Sequence, residues 1–382
     1  MTNACGLDCQ RCPALARCGG RSNFCRLGTC SDCASDPLRR MDVRRAIIEH
    51  LGGLDLEWPR PVLHPDLPEL PDHLPVLVQA YSDPVDLPWV ALHGGRVFGV
   101  TGGRITPKHR RPLRDVYRLA PATKIALQLY VEDRVLEGLW AKRRQLIPEL
   151  VEMGFDLVLT PNYSVWRDRS RFEATVQIRR SAVFYHELVE AGACAVPDVG
   201  WSRFEPDGRL WAEWINSQPG LQAISIFCGG RKIHAEVRAH RETVEDIGLF
   251  HRAVRPDVTF ILGGIHAAER LADYRRVAPG RRLVIVNGMA YGLAQRRRLL
   301  ARGHDAIARS ARECFLLNCA ENDRRYASIL KQAELHQMQH GADLNIGDPT
   351  NSGMVSDRLQ KSAWEVPVGN IYLPPVRAGE AG

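Results

Sequence analysis

Residues 221–265, LQAISIFCGGRKIHAEVRAHRETVEDIGLFHRAVRPDVTFILGGI, place an apolar run, a helical stretch and a second apolar run in succession. The runs LQAISIFCGG (221–230) and DVTFILGGI (257–265) are apolar at adjacent positions, so each predicts a strand buried on both faces. Glu236 to Val254 between them reads as a helix. Strand, helix and strand together make a βαβ unit, with parallel strands joined by a right-handed crossover.

The same unit recurs along the chain. KIALQLYVED (124–133), FDLVLTPNY (155–163), ACAVPDVGW (193–201), RLVIVNGMA (282–290) and CFLLNCAEN (314–322) are further apolar runs. Helical segments at 136–153, 172–191 and 290–302 separate most of them. VLVQAY (76–81) and WVALHGGRVFGV (89–100) precede them, the second reading as a hairpin around His93-Gly94-Gly95. The fold class is therefore α/β: a parallel, TIM-barrel-like (β/α) sheet over residues 76–330, complete or missing a strand, in preference to an open doubly wound sheet. A helix (36–53) and a proline-rich linker (54–75) precede it. A C-terminal helix and tail (331–382) follow.

Barrel enzymes place their chemistry at the C-terminal ends of the strands. Asp133, Asn162, Asp198, Cys228, His266, Asn287 and Glu321 each end an apolar run here. Asp198, Asp168 and Asp133 are the carboxylate candidates for proton transfer or for orienting a sugar, and His266 is a fourth catalytic candidate. Asn162 and Ser164, beside Pro161, would bind a polar group or cap the next helix. Cys228-Gly229-Gly230-Arg231-Lys232 offers backbone N–H groups and charge to an anion, and Gly263-Gly264 and Asn287-Gly288 are further glycine turns. Three such turns on adjacent strand ends would suit a phosphate or a nucleobase; each is equally how a strand turns.

The segment LTPNYSVWRDRSRF (159–172), with QIRRSAVFYHELVEAGACAVPDVGW (177–201) and SIFCGGRK (225–232), resembles a bacterial and phage family catalogued as a domain of unknown function, DUF4417. The resemblance covers residues 120–290 and rests on a T-P-D-x-S strand end, an arginine-bearing helix, a V-x-W strand end and a Gly-Gly turn. It maps onto Thr160, Pro161, Ser164, Asp168, Arg179 or Arg180, Trp201 and Gly229, and so implies that Arg180 and Trp201 join the substrate-binding set. Asn162 stands where the family has an aspartate, and the family supplies no reaction.

Outside this resemblance lies a cysteine-rich module, residues 1–35. Seven of the chain's 11 cysteines are Cys5, Cys9, Cys12, Cys18, Cys25, Cys30 and Cys33. So short a segment cannot build a core and needs a metal, a cluster or disulfides. The start MTNACGLDC has no apolar signal region, which points to a reducing cytoplasm and to metal ligands. Cys9-x2-Cys12 and Cys30-x2-Cys33 fit a zinc ribbon. An Fe–S cluster, of the 4Fe–4S type, uses more of the thiols, and Cys25-x4-Cys30-x2-Cys33 has plant-ferredoxin spacing. Cys5-x3-Cys9-x2-Cys12 also spells the radical S-adenosylmethionine motif, yet Arg11 fills the usual aromatic slot and the first barrel strand lies far downstream. Cys314 and Cys319 would either complete such a site or be core. His336, His340 and Asp343 have zinc-compatible spacing without a clear third ligand.

Fifty-one Lys and Arg against 44 Asp and Glu give a net charge of +7. Lys108–Arg111, Arg143-Arg144, Arg179-Arg180 and Arg296–Arg298 would form a phosphate-binding face, or solvated helix faces. No apolar run reaches the ~20 residues that a membrane span needs. The expectation is an enzyme acting on a phosphorylated, nucleotide-like or nucleic-acid substrate, with a redox partner if a cluster is present. A non-catalytic nucleic-acid or partner-binding adaptor is the alternative, and a radical enzyme the third.

Overall fold

The computed structural model describes residues 41–59, 62–165, 171–201, 204–229, 236–265, 268–301 and 309–340. Eight strands, all paired in parallel, form one sheet: β1 (His73–Leu77), β2 (Trp89–His93), β3 (Lys124–Gln128), β4 (Leu157–Leu159), β5 (Ala195–Val196), β6 (Ala223–Phe227), β7 (Thr259–Gly263) and β8 (Leu283–Asn287). Their order is β5-β4-β3-β2-β1-β8-β7-β6, and β1 pairs with β8. The sheet thus curls into a nearly closed barrel with one seam, between β5 and β6.

The described α-helices are α1 (Met41–Leu51), α2 (Gly94–Val97), α3 (Leu113–Tyr117), α4 (Asp133–Glu152), α5 (Arg171–Glu190), α6 (Arg209–Asn216), α7 (Glu236–Ala253), α8 (Ala268–Val277), α9 (Met289–Gln295) and α10 (Ala311–His340). Because neighbouring residues on a strand face opposite ways, the continuous apolar runs supply two cores. Leu127, Ile224, Phe260 and Ile285 face outward with Leu139 of α4 and Phe184 of α5 in one cluster. The register places Ala91, Leu159, Val196, Ile261 and Val284 on the inner face, and these share a second cluster.

Two expectations are corrected. Residues 89–100 make no hairpin: β2 runs into α2, because a Cβ on Gly94 would lie 2.7 Å from Leu129 and 2.9 Å from the Gln128 carbonyl, and only glycine lets the chain cross the end of β3 so closely. CFLLNCAEN is not a strand but the first turns of α10. Cys314, Phe315, Asn318, Cys319, Asn322 and Tyr326 are buried at helical spacing, and no glycine or proline interrupts them. Cys314 and Cys319 are core residues there, and Glu321 leaves the set of strand-end candidates.

The start of the proline-rich stretch is pinned to α5. Arg179 of α5, 1% exposed, donates to the carbonyls of Leu51 (3.1 Å), Asp55 (2.7 Å) and Glu57 (2.7 Å). Trp58 stacks on His186 at 4.9 Å, and β1 already begins at His73.

Candidate active site

The two edge strands meet at one place. Asp198 and Ser225 form an isolated parallel bridge across the β5–β6 seam, with Val199 N–H donating to the Ser225 carbonyl (2.8 Å) and Ser225 N–H to the Pro197 carbonyl (2.9 Å). Pro197 has no N–H, so the ladder cannot simply run on from β5. Asp198 continues the inward face of β5 and is 1% exposed.

Around its carboxylate the neighbouring strand ends converge. Asn162, just past β4, donates through Nδ2 to Oδ1 (3.0 Å), and Ser225 Oγ donates to Oδ2 (3.1 Å). The Asp198 backbone N–H donates to Thr160 Oγ1 (2.8 Å), which fixes the carboxylate's stem to β4. Tyr130, two residues past the end of β3, lies beside it with a buried hydroxyl that makes no well-formed hydrogen bond. Among the described residues no cation pairs with Asp198. Burial without a counter-charge pushes its carboxyl up to about 8, and the hydrogen bonds from Ser225 and Asn162 restrain the rise. Asp198 is thus a carboxylic acid poised to exchange a proton near neutral pH.

The ring of Tyr130 crosses to β7, where a Cβ on Gly263 would lie 2.2 Å from its Cε2; it also packs 5.0 Å from Phe227. His93 and Gln128 are paired in register on the same inner face. His93 Nδ1 accepts from Gly95 N–H (3.2 Å), which assigns its proton to Nε2. Burial and the nearby Arg96 push its pKa down to about 4, so the ring is neutral. Gln128 Oε1 is buried without a partner. The inward-facing polar set is therefore His93, Gln128, Tyr130, Asp198 and Ser225, with Asn162 at its rim.

Of the sequence candidates, the structure brings Asn162 and Asp198 into contact. Asp133 and Ser164 form a second pair, Ser164 Oγ donating to Oδ1 at 2.8 Å, and line a cleft of about 200 Å3 with Glu137, Tyr163, Glu173 and Gln177. Arg180 makes a bidentate pair with Glu137 (2.7 and 3.0 Å) and lies 4.2 Å over the Tyr163 ring. These contacts engage it in packing α5 against α4. Trp201 donates to Asp246 (3.0 Å) and stacks on Phe250 at 5.1 Å, anchoring the loop after β5 to α7. Asn287 is 2% exposed: it donates to the Tyr326 hydroxyl (2.7 Å) and accepts from Met289 N–H (3.1 Å), tying β8 to α9 and α10. Gly229 and Gly264 face each other, since a Cβ on Gly264 would lie 2.9 Å from Gly229 Cα; close approach of the β6 and β7 ends accounts for this pair. Asp168, His266, Arg231 and the seven cysteines Cys5 to Cys33 lie outside the described residues.

The basic runs do not assemble into one face. Arg143 is buried against Glu187 (2.9 Å) and Arg179 against the 51–57 segment, while Arg110 pairs with Glu149 (3.3 Å) in the last turns of α4, far from the strand ends. Arg296, Arg297 and Arg298 are exposed.

Sequence reasoning missed His93, Gln128, Tyr130 and Ser225. A signal for two of them was present: Ala126, Gln128 and Tyr130 share one face at period two, so polar groups recur on the inner side of an otherwise apolar run.

Among the described residues no group of three or more His, Cys, Asp or Glu is placed to hold a metal ion, and no helix is long and apolar enough to cross a membrane. No family model matches the chain. No curated protein matches it either. The chain is similar in part to one in the "Structure of a cube-shaped, highly porous protein cage designed by fusing symmetric oligomeric domains", at 16% identity and a TM-score of 0.33 over 70% of this chain and 78% of that one.

Proposed function

We propose that the protein is a barrel enzyme in which Asp198 transfers a proton to or from a small ligand at the C-terminal strand ends. The observation that carries this is a carboxyl buried without a counter-cation among the described residues and held by Asn162 and Ser225, in a fold that places catalytic groups there. Tyr130, with an unpaired hydroxyl beside it, is the partner that relays or stabilises charge. A phosphorylated, nucleotide-like or nucleic-acid substrate is the first class to test, given the excess of arginine and lysine over acidic residues.

We further propose that Cys5, Cys9, Cys12, Cys18, Cys25, Cys30 and Cys33 hold an Fe–S cluster, with zinc as the alternative. Their number and spacing support this. Anaerobically purified protein with broad absorption near ~400 nm supports the cluster. Colourless protein with stoichiometric zinc supports the alternative.

The enzyme reading is tested by ligand-induced thermal shifts across nucleotides, sugar phosphates and short oligonucleotides, with wild type, Asp198→Asn and Tyr130→Phe side by side. A ligand that stabilises wild type is expected to lose most of its shift in both variants. Variants that respond as wild type does to every ligand defeat the assignment.

A further inference from the structure

The strand registers trace the inward face of the barrel all the way round. Passing from each strand to the next but one along paired residues, and advancing two residues each time, leads from Val76 to Gln128, Asp198, Gly263 and back to Val76. The trace closes on itself, so these residues form one inward layer of the kind that fills an eight-stranded barrel. Two residues lower on the same strands, Leu74, Ala126, Val196 and Ile261 make a buried apolar floor. Continuing the same registers, the layer above takes His93, Pro161, Phe227 and Gly288 from the other strands.

Gly263 and Gly288 are the positions in these two layers without a side chain, and their surroundings differ. The Tyr130 ring occupies the space at Gly263, 2.2 Å from where a Cβ would lie. At Gly288, apart from its chain neighbours, a Cβ would meet nothing nearer than Val76 Cβ at 3.9 Å. A hollow therefore remains over Val76. Gly288 and His93 flank it on β8 and β2, and Gln128 stands next to Val76 in the lower layer.

Two polar groups beside this hollow have no partner. Gln128 is 8% exposed, and its Oε1 is buried with no donor. His93 Nδ1 is taken by Gly95 N–H at the start of α2, so the proton of the neutral ring sits on Nε2, where no described group accepts it. Capping α2 explains Nδ1 alone. Packing alone would be served at 128 by an apolar side chain, as at Ala126, and a buried acceptor left without a donor is destabilising. Gln128 is therefore a group whose donor comes from outside the chain. His93 and Gln128 are paired in register on adjacent strands, which sets a donor and an acceptor side by side. Neither layer contains Lys or Arg, so what they receive is uncharged.

We propose that the hollow receives the lactam edge of a nucleobase such as uracil or hypoxanthine, whose ring carbonyl accepts from His93 Nε2 and whose adjacent N–H donates to Gln128 Oε1. Tyr130 and Phe227, 5.0 Å apart, supply aromatic surface beside a flat ring. A sugar or phosphate attached to the base stays above these layers. The proposal names the substrate class of the site that holds Asp198, the neighbour of Gln128 in its layer, and it rests on the reading of that carboxyl as the proton carrier for the same ligand.

Calorimetric titration of the full-length protein with uridine, inosine, 3-methyluridine, 1-methylinosine and ribose 5-phosphate tests it. Uridine or inosine should bind, and its N-methylated counterpart, which lacks the ring N–H, should bind about tenfold more weakly or worse. Gln128→Met breaks no hydrogen bond, so it should unfold at no lower urea than wild type while binding the base and its N-methylated form equally. His93→Asn keeps an acceptor for Gly95 N–H and removes the Nε2 donor. It should weaken the base about tenfold and leave the N-methyl discrimination in place. Binding of neither base, equal binding of the N-methylated forms by wild type, ribose 5-phosphate binding as tightly as the nucleosides, or wild-type affinity in either variant overturns the proposal. Asp198→Asn and Tyr130→Phe, titrated in parallel, separate it from the reading beneath it. Base binding that needs Gln128 and His93 but is unchanged in those two variants upholds the nucleobase edge and removes the proton-transfer assignment; the reverse pattern removes the nucleobase edge alone.

Discussion

Arg179 and Asp198 are buried to the same degree, each 1% exposed, yet their surroundings are opposite. Arg179 meets three backbone carbonyls within 3.1 Å and a fourth, of Gly52, at 3.4 Å. Arg281, also buried, is built the same way, donating to the carbonyls of Val254, Val258 and His251 and lying 4.6 Å over Phe260. Both guanidiniums hold chain segments whose carbonyls would otherwise be orphaned. Asp198 has two side-chain donors and no cation among the described residues, with an unpaired hydroxyl next to it. A charge that serves the fold is surrounded until its desolvation is offset; a carboxyl left short of partners keeps its proton to higher pH, which is what the proposed proton transfer requires.

The widest separation between the two should appear on removing each charge. Arg179→Met strips the donors from four carbonyls and frees the 51–58 strap from α5, so it is expected to cost about 3–4 kcal/mol in urea unfolding. Arg281→Met should cost a similar amount. A loss below about 1 kcal/mol for either would mean that these arginines are not the clamps described.

Asp198→Asn should behave in the opposite sense. The folded-state pKa, about 8, lies above the ordinary 3.8, so the native state holds a proton that the unfolded chain releases. Wild-type stability is therefore full below about pH 4 as far as this group is concerned, and falls as pH rises from there through 8, by at most about 6 kcal/mol. The asparagine variant lacks this slope. It should unfold at higher urea than wild type at pH 8.5 while losing ligand response. Parallel pH profiles for the two proteins would show that Asp198 is ionised throughout.

How much of this contrast is legible in the sequence depends on what sets it. The βαβ rhythm is legible because adjacent apolar residues such as those in 223–227 and 259–263 can only be buried on both faces. Asp198 is legible for a related reason, a carboxylate ending such a run. The seam is not. Its position follows from which strands become edges, and nothing local to Pro197 or Ser225 declares that β5 and β6 fail to pair beyond one bridge. Arg179 and Arg180 read equally well as a phosphate grip or a helix face, and only the fold shows that carbonyls of residues 51–57 and Glu137 occupy them. Residues 314–322 misled because a short apolar run has no intrinsic period; burial at 314, 315, 318, 319 and 322 reveals a helix.

Gly263→Ala probes the packing that holds Tyr130 beside Asp198. Its Cβ would fall 2.2 Å from the Tyr130 ring, so the ring must move, at a cost of about 1–3 kcal/mol. Pairing it with Tyr130→Leu, a smaller side chain, should recover most of that loss. Ligand response should stay low in the double variant, because the hydroxyl is gone. Additive losses from the two substitutions would show that Tyr130 does not occupy the space against β7.

The smallest effect is expected at Ser225, and it bears most directly on why the seam and the carboxyl coincide. Ser225 Oγ donates to Asp198 Oδ2 at 3.1 Å, while the Ser225 backbone closes the single bridge through Pro197 and Val199. The side chain therefore acts on the acid and the backbone on the barrel, and Ser225→Ala separates them. Removing the hydroxyl should cost only about 1 kcal/mol in stability, since both backbone bonds remain. It also removes a donor that favours the ionised form, so the Asp198 carboxyl should titrate at still higher pH. Infrared difference spectra of the protonated carboxyl, assigned by its absence in Asp198→Asn, would follow that midpoint. An unchanged or lowered midpoint would mean that the Ser225 hydroxyl does not hold the carboxylate. A loss of several kcal/mol would mean that the side chain, and not the backbone bridge, joins β5 to β6.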